Sequence, residues 1–194
     1  KTLTVSFVVC LFCSLIVSFA AVSLRDAQNL NKLNDQRIKI LKTAAIYNPE
    51  ESIESQFGRL TPKFVDFSNG LLLDEFEGLD LTTYDPVYFS KQADYSTPIP
   101  ADLDIAIVKN IENIGKIYLL KDFNNNLEKI ILPIRGYGLW GTLYGYIAID
   151  KDLNTIRGLE FYEHKETPGL GAEVDNPKWK ALWDGKKIYK DGII

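Results

Sequence analysis

Two short stretches of this chain hold the residue types from which a binding pocket could be made. The first, Glu166-Thr167-Pro168-Gly169-Leu170-Gly171, has one residue with a fixed φ and two that tolerate positive φ, so its backbone is shaped and not slack. Gly169 and Gly171 carry no side chains, which lets a flat ligand approach the main chain, while the Thr167 hydroxyl and the nearby amides offer hydrogen-bond partners. The plain alternative is an ordinary Pro-Gly turn. The second stretch, Arg135-Gly136-Tyr137-Gly138-Leu139-Trp140-Gly141, is too glycine-rich for a regular strand and too aromatic for an ordinary surface loop. It reads either as a wide β-turn whose Trp140 plugs the core, or as a second wall facing the Glu166 stretch.

Most other chemistries lack the residues they need. The chain has one histidine, His164, which makes neither a metal site nor a Ser-His-Asp arrangement and reads as a surface residue. No G-x-x-x-x-G-K loop occurs, nor a G-x-G-x-x-G after a strand. Both cysteines, Cys10 and Cys13, lie in an uncharged apolar segment, three residues apart on one helical face. They read as packing residues, and a pair supplies too few ligands for a zinc site or an iron-sulfur cluster of its own. No catalytic side chain and no metal site is therefore assigned. What remains is a pocket for an organic cofactor built from glycine, tryptophan, leucine and threonine.

Something must position those stretches. Residues 2–24 contain no charge, and a helix of that length spans roughly 35 Å, enough to cross a hydrocarbon core of about 30 Å. Ser18-Phe19-Ala20 could pass for a signal-peptide cleavage site, but the apolar run exceeds the roughly 7 to 15 residues usual for one, so an uncleaved anchor is expected. The first 43 residues hold six basic and two acidic groups, and the remainder sixteen basic and 24 acidic, so the globular part is acidic within a total charge of −4. That balance argues against nucleic acid as a partner. The five basic residues from Arg25 to Lys42 favour a cytoplasmic C-terminal side, but the other flank begins at Lys1 and cannot be weighed against them, so charge alone leaves the orientation open.

After the anchor, Leu30, Leu33, Ile40, Leu41 and Ala44 recur at helical spacing, predicting a helix over 26–45 with an apolar stripe. A short helix is expected over 50–57. Phe64 to Phe67, the Ser68-Asn69-Gly70 turn and Leu71 to Leu73 read as a hairpin. The acidic, Pro- and Tyr-rich stretch 74–102 has no period. Four strands follow, over 117–120, 127–132, 142–150 and 155–162, with 133–141 as a connection, and then a short helix opened by Asn176-Pro177. Trp179 and Trp183 on that helix read as packing, and Lys186-Lys187 as solvated surface. The expected fold class is α+β: a single N-terminal transmembrane helix, then an antiparallel β-meander with flanking helices.

The stretch from Glu166 to Gly171, followed by Glu173-Val174-Asp175-Asn176-Pro177-x-Trp179-x-x-x-Trp183-x-Gly185-Lys186-Lys187, resembles the C subunit of the bacterial sodium-translocating NADH:quinone oxidoreductase. Leu132-Pro133 to Gly138-Leu139-Trp140, Phe64-Val65-Asp66-Phe67 and the anchor's ending in Ala-Val-Ser-Leu-Arg-Asp are similar to it in the same order. The E-T-P-G-L-G stretch alone is shared with the corresponding subunit of the ferredoxin-linked Rnf complex, which stands as an alternative beside a cofactor-free anchored assembly module.

The resemblance implies an FMN-carrying electron-transfer subunit of a sodium-pumping, NAD- and ubiquinone-linked translocase. It further implies a domain on the periplasmic side of the inner membrane, other membrane subunits as partners, and the bilayer around residues 2–24. Gly138, Leu139 and Trp140 on one side and Glu166, Thr167, Gly169, Leu170 and Gly171 on the other are expected to line the flavin. Glu166 is expected either to act on the flavin by its charge or to make a loop hydrogen bond at the rim. In the family FMN is joined through its phosphate to a threonine of an S-G-A-T motif. That motif is not in this sequence, so the attachment threonine is expected beyond Ile194 of a trimmed polypeptide, the alternative being a chain without the covalent flavin, and Thr167, in a different motif, does not take its place. The expected domains are an anchor at 1–25, a connecting helix at 26–46 and an FMN-binding-type domain at 47–194, incomplete at its C-terminal end.

Overall fold

The computed structural model describes residues 1–76 and 78–190. The expected end of the domain, at 191–194, lies outside the described residues. The anchor and the amphipathic stretch form one helix, α1 (Thr2–Thr43), and the chain divides into two compact units, Lys1–Gln36 and Arg37–Ile194. In the first unit α1 is long and apolar enough to cross a membrane, with a mean hydropathy of 2.7 over its most apolar window and none of that window buried. Leu30 and Leu33 are exposed as well.

The second unit is organised by the end of α1 and a six-stranded antiparallel sheet. Its strands are β1 (Leu60–Asp66), β2 (Leu71–Leu73), β5 (Ile114–Lys121), β6 (Leu127–Tyr137), β7 (Thr142–Asp150) and β8 (Ile156–Glu163), in the order β2-β1-β5-β6-β7-β8. A separate pair, β3 (Ser96–Pro98) and β4 (Asn110–Glu112), lies outside it. Ile40 and Leu41 in the last turn of α1, and Ala44 just after it, are buried in a core with Leu60, Leu120, Ile131 and Ala148, so the end of the predicted stripe meets the sheet. Burial pushes the Tyr118 phenol up to about 12 and raises Tyr146 and Tyr162 too, which keeps these core hydroxyls protonated. Glu160 on β8 accepts from Lys39 of α1 at 3.1 Å and from Lys180 at 2.7 Å, tying both ends of the unit to one strand.

Local chemistry accounts for most element ends. Ser52 caps α2 (Ile53–Phe57) by accepting from the Ser55 amide, and Gly70 takes a positive φ at the β1–β2 turn. Asn176 caps α4 (Pro177–Ala181), with Pro177 at its first turn. The stretch 74–102 holds a short helix, α3 (Pro86–Phe89), a 3₁₀ turn and β3. It is pinned by Tyr84, which packs edge-on against Phe64 and stacks on Phe89, and whose hydroxyl donates to the Ile114 carbonyl.

One expectation is corrected. Residues 133–137 are not a connection: β6 runs through Pro133 and Gly136 to Tyr137. Pairing of β6 with β5 ends at Ile131, so beyond it the strand is paired within the sheet only to β7, and a proline there breaks no second ladder. Lys186 and Lys187 are exposed, as expected, and make contacts at that surface. Lys186 lies over the Trp183 ring, and Lys187 bridges to Asp152 at 2.9 Å and contacts the Thr155 hydroxyl, adding a short bridge to the start of β8.

Candidate functional site

The antiparallel order of β6, β7 and β8 brings the end of β6, the start of β7 and the end of β8 to one end of the sheet. The turn 138–141 and the loop leaving β8 at Glu163 are therefore neighbours. The turn is closed by the Gly138 amide donating to the Gly141 carbonyl at 2.8 Å. In the loop, the Leu170 amide donates to the Thr167 carbonyl at 3.1 Å across Pro168 and Gly169, whose φ is +76°. Proline at the second position and a positive-φ glycine at the third make this a type II turn. A 3₁₀ turn, Gly171–Asp175, leads from it to α4.

Glu166 joins the two sides. Its Oε1 accepts the Trp140 amide at 3.2 Å, and a Cβ on Gly138 would overlap the same oxygen and the end of Leu143. A Cβ on Gly171 would lie 2.5 Å from Oε2. The carboxylate thus fills the space that two missing side chains leave, and the glycines are needed for that contact. The Lys165 stem packs on Gly141 from the same loop.

The sequence-predicted residues are brought together, and their apolar members face solvent. Leu139 is 78% exposed, Trp140 62% and Leu170 72%. Trp140 therefore does not plug the core. Thr167, Pro168 and Gly169 are exposed as well. Apolar side chains carried on two shaped loops, with glycine backbone between them, suit the flat aromatic ring of a flavin: there is apolar surface to cover it and main chain to meet its edge.

His164 was missed as a site residue. It is not free surface: its side chain is 15% exposed, its Nε2 lies 2.7 Å from Asp175 Oδ2, and its Nδ1 accepts the Glu166 amide at 3.3 Å. Its position two residues before Glu166 was the only signal available. Behind the site, Tyr162 stacks on Tyr146, and Trp179 packs against Phe161 and Trp183, so the tryptophans of the α4 segment serve packing as expected.

Comparison with known proteins points the same way. Residues 138–193 match the FMN-binding domain family, a span that takes in both loops. The chain is 46% identical over 193 residues to the C subunit of the Na(+)-translocating NADH-quinone reductase of Pseudomonas aeruginosa, covering 97% of this chain and 72% of that protein. It is 40% identical over 192 residues to the same subunit of Vibrio anguillarum, covering 98% and 73%. Among solved structures it is similar to Shewanella oneidensis NqrC, with a TM-score of 0.71 at 30% identity over 80% of this chain and 70% of that one. The resemblance read from the E-T-P-G-L-G and tryptophan motifs, and the α+β class with its apolar helix, are borne out.

Proposed function

Since the chain belongs to the C-subunit family of the Na(+)-translocating NADH-quinone reductases, we propose that its two bridged loops hold FMN for electron transfer within that membrane complex. The chain is an FMN-binding electron-transfer subunit of this oxidoreductase. The observation that carries the site assignment is the pair of turns joined by Glu166, with Leu139, Trp140 and Leu170 exposed on them. When bound, the flavin would supply the redox chemistry of electron transfer, and the two loops would position it.

Each residue of the site then has a task. Leu139, Trp140 and Leu170 cover the ring and exclude water from it. Gly138, Gly169 and Gly171 let backbone approach its edge, and Thr167 offers a hydroxyl at the rim. Glu166 belongs to the same constellation through its contact with the opposite turn.

In the membrane, residues 1–25 anchor the chain by crossing the inner membrane once within 2–24, and residues 26–46 connect it to the domain, helical as far as Thr43. The domain from 47 onward lies on the periplasmic side, with the last turns of the helix inserted in its core. The partners are the other membrane subunits, met by the helix. The absence of charge in residues 2–24 supports a packing role for that segment and not an ion path.

The flavin is proposed to be covalent, through its phosphate and a threonine. Intact mass and visible spectrum of the full-length protein after denaturation test this. A mass excess of one FMN less water, with the colour retained, is expected. A colourless chain at its bare polypeptide mass would favour a cofactor-free assembly module.

A further inference from the structure

We propose that Glu166 is a positioning residue, a latch that holds the 138–141 turn closed on the 167–171 turn by accepting the Trp140 amide, with His164 and Asp175 fixing the backbone from which it reaches. Its consequence for FMN rests on the flavin reading of the two loops; the latch itself is a property of the polypeptide. Leu139 and Trp140 are too exposed for packing to hold their turn in place. The turn is held at its base by its internal Gly138–Gly141 bond and the Tyr137–Thr142 strand pair, with the Lys165 stem on Gly141; what joins it to the 167–171 turn is the carboxylate, which meets the Trp140 amide and abuts both Gly138 and Gly171.

The support behind Glu166 is consistent with one histidine tautomer. Nδ1 accepts from the Glu166 amide, so the ring proton sits on Nε2 and is donated to Asp175. Asp175 ends the 3₁₀ turn that begins at Gly171. The contacts therefore close a ring, from Trp140 through Glu166 and His164 to Asp175 and back along the chain to Gly171. In this arrangement the carboxylate is spent on the protein's own backbone, and its use to the flavin is geometric.

Charge and geometry separate by substitution. Glu166→Gln keeps a carbonyl acceptor and nearly the same volume but removes the charge, and His164→Asn keeps an acceptor near the Nδ1 position. Hydrogen exchange of the Trp140 amide is read on the flavin-free chain, and flavin circular dichroism and midpoint potential on the loaded protein. Glu166→Ala is expected to speed exchange about tenfold or more, whereas E166Q and H164N stay within about twofold of the parent. The flavin dichroism of E166A is expected to change, while E166Q keeps both the parent dichroism and the parent potential. Unchanged exchange in E166A, E166Q matching E166A in exchange, or E166Q departing from the parent potential overturns the latch. If the parent chain carries no FMN, the flavin reading falls, and the exchange measurement alone decides the latch.

Discussion

The carbonyl of Thr43 occupies the space that a side chain on Gly158 would need. Here the last turn of α1 lies directly on β8, backbone against backbone, with Lys39 reaching Glu160 two residues further along the strand. A methyl group at 158 meets main chain, which cannot rotate away. Gly158→Ala should therefore lift the end of α1 and destabilise the domain by about 2 kcal/mol or more, at the upper end of overpacking costs. Thermal denaturation checks it; an unchanged midpoint would mean that α1 does not pack there.

Asp152 is one of the carboxylates that contribute to the acid flank of stability. The Thr155 hydroxyl, the Thr155 amide, Lys187 and the Asn154 amide hold its carboxyl well below the usual carboxylate range. A group whose folded pKa is depressed stabilises the fold above its unfolded value, about 3.9 for aspartate, and loses that contribution as pH falls through the folded value. Asp152→Asn should lower stability at neutral pH and leave a flatter decline below about pH 4. Stability curves of the two proteins that run parallel through that window would refute the assignment.

Trp140 separates site from core. Its ring is mostly exposed, so Trp140→Ala should change folding stability by no more than about 0.5 kcal/mol. The same change should disturb the order of a bound flavin and alter its electron-transfer rates. Collapse of the thermal midpoint would return Trp140 to the core. An unchanged flavin dichroism spectrum would remove it from the site.

Features set by neighbouring residues were legible in the sequence. Pro168-Gly169 specifies its turn, Asn69-Gly70 its hairpin and Asn176-Pro177 its helix start, because each works through local φ preferences and a capping oxygen. Features set by what lies opposite were not. Pro133 and Gly136 argue against a strand until β5 is seen to stop pairing at Ile131. An aromatic residue among glycines is the same letters whether it plugs a core or projects from it, so Trp140 stayed ambiguous. His164 and Asp175 lie eleven residues apart with a turn between them, and only the folded loop brings them together. Glu166 stood out as a charge in a glycine loop, yet its partner, a backbone amide 26 residues upstream, carries no signature in residue type.

The start of the folded domain can be found by truncation. Ile40, Leu41 and Ala44 lie at 2%, 0% and 0% exposure in the core with Leu60, Leu120 and Ile131. Replacing one large buried aliphatic by alanine costs about 2–5 kcal/mol, and a domain has about 5–15 kcal/mol in total. A chain beginning at Arg37 keeps all three residues, together with the Lys39–Glu160 contact. It should unfold in one cooperative transition without detergent. A chain beginning at Tyr47 lacks them and opens the face of the sheet that α1 covers, so it should aggregate or melt without cooperativity. Equal thermal transitions for the two chains would show that the sheet needs no helix to complete its core. Then the contact between Thr43 and Gly158 would be a docking of separate parts, and Gly158→Ala should loosen the helix while leaving the sheet intact.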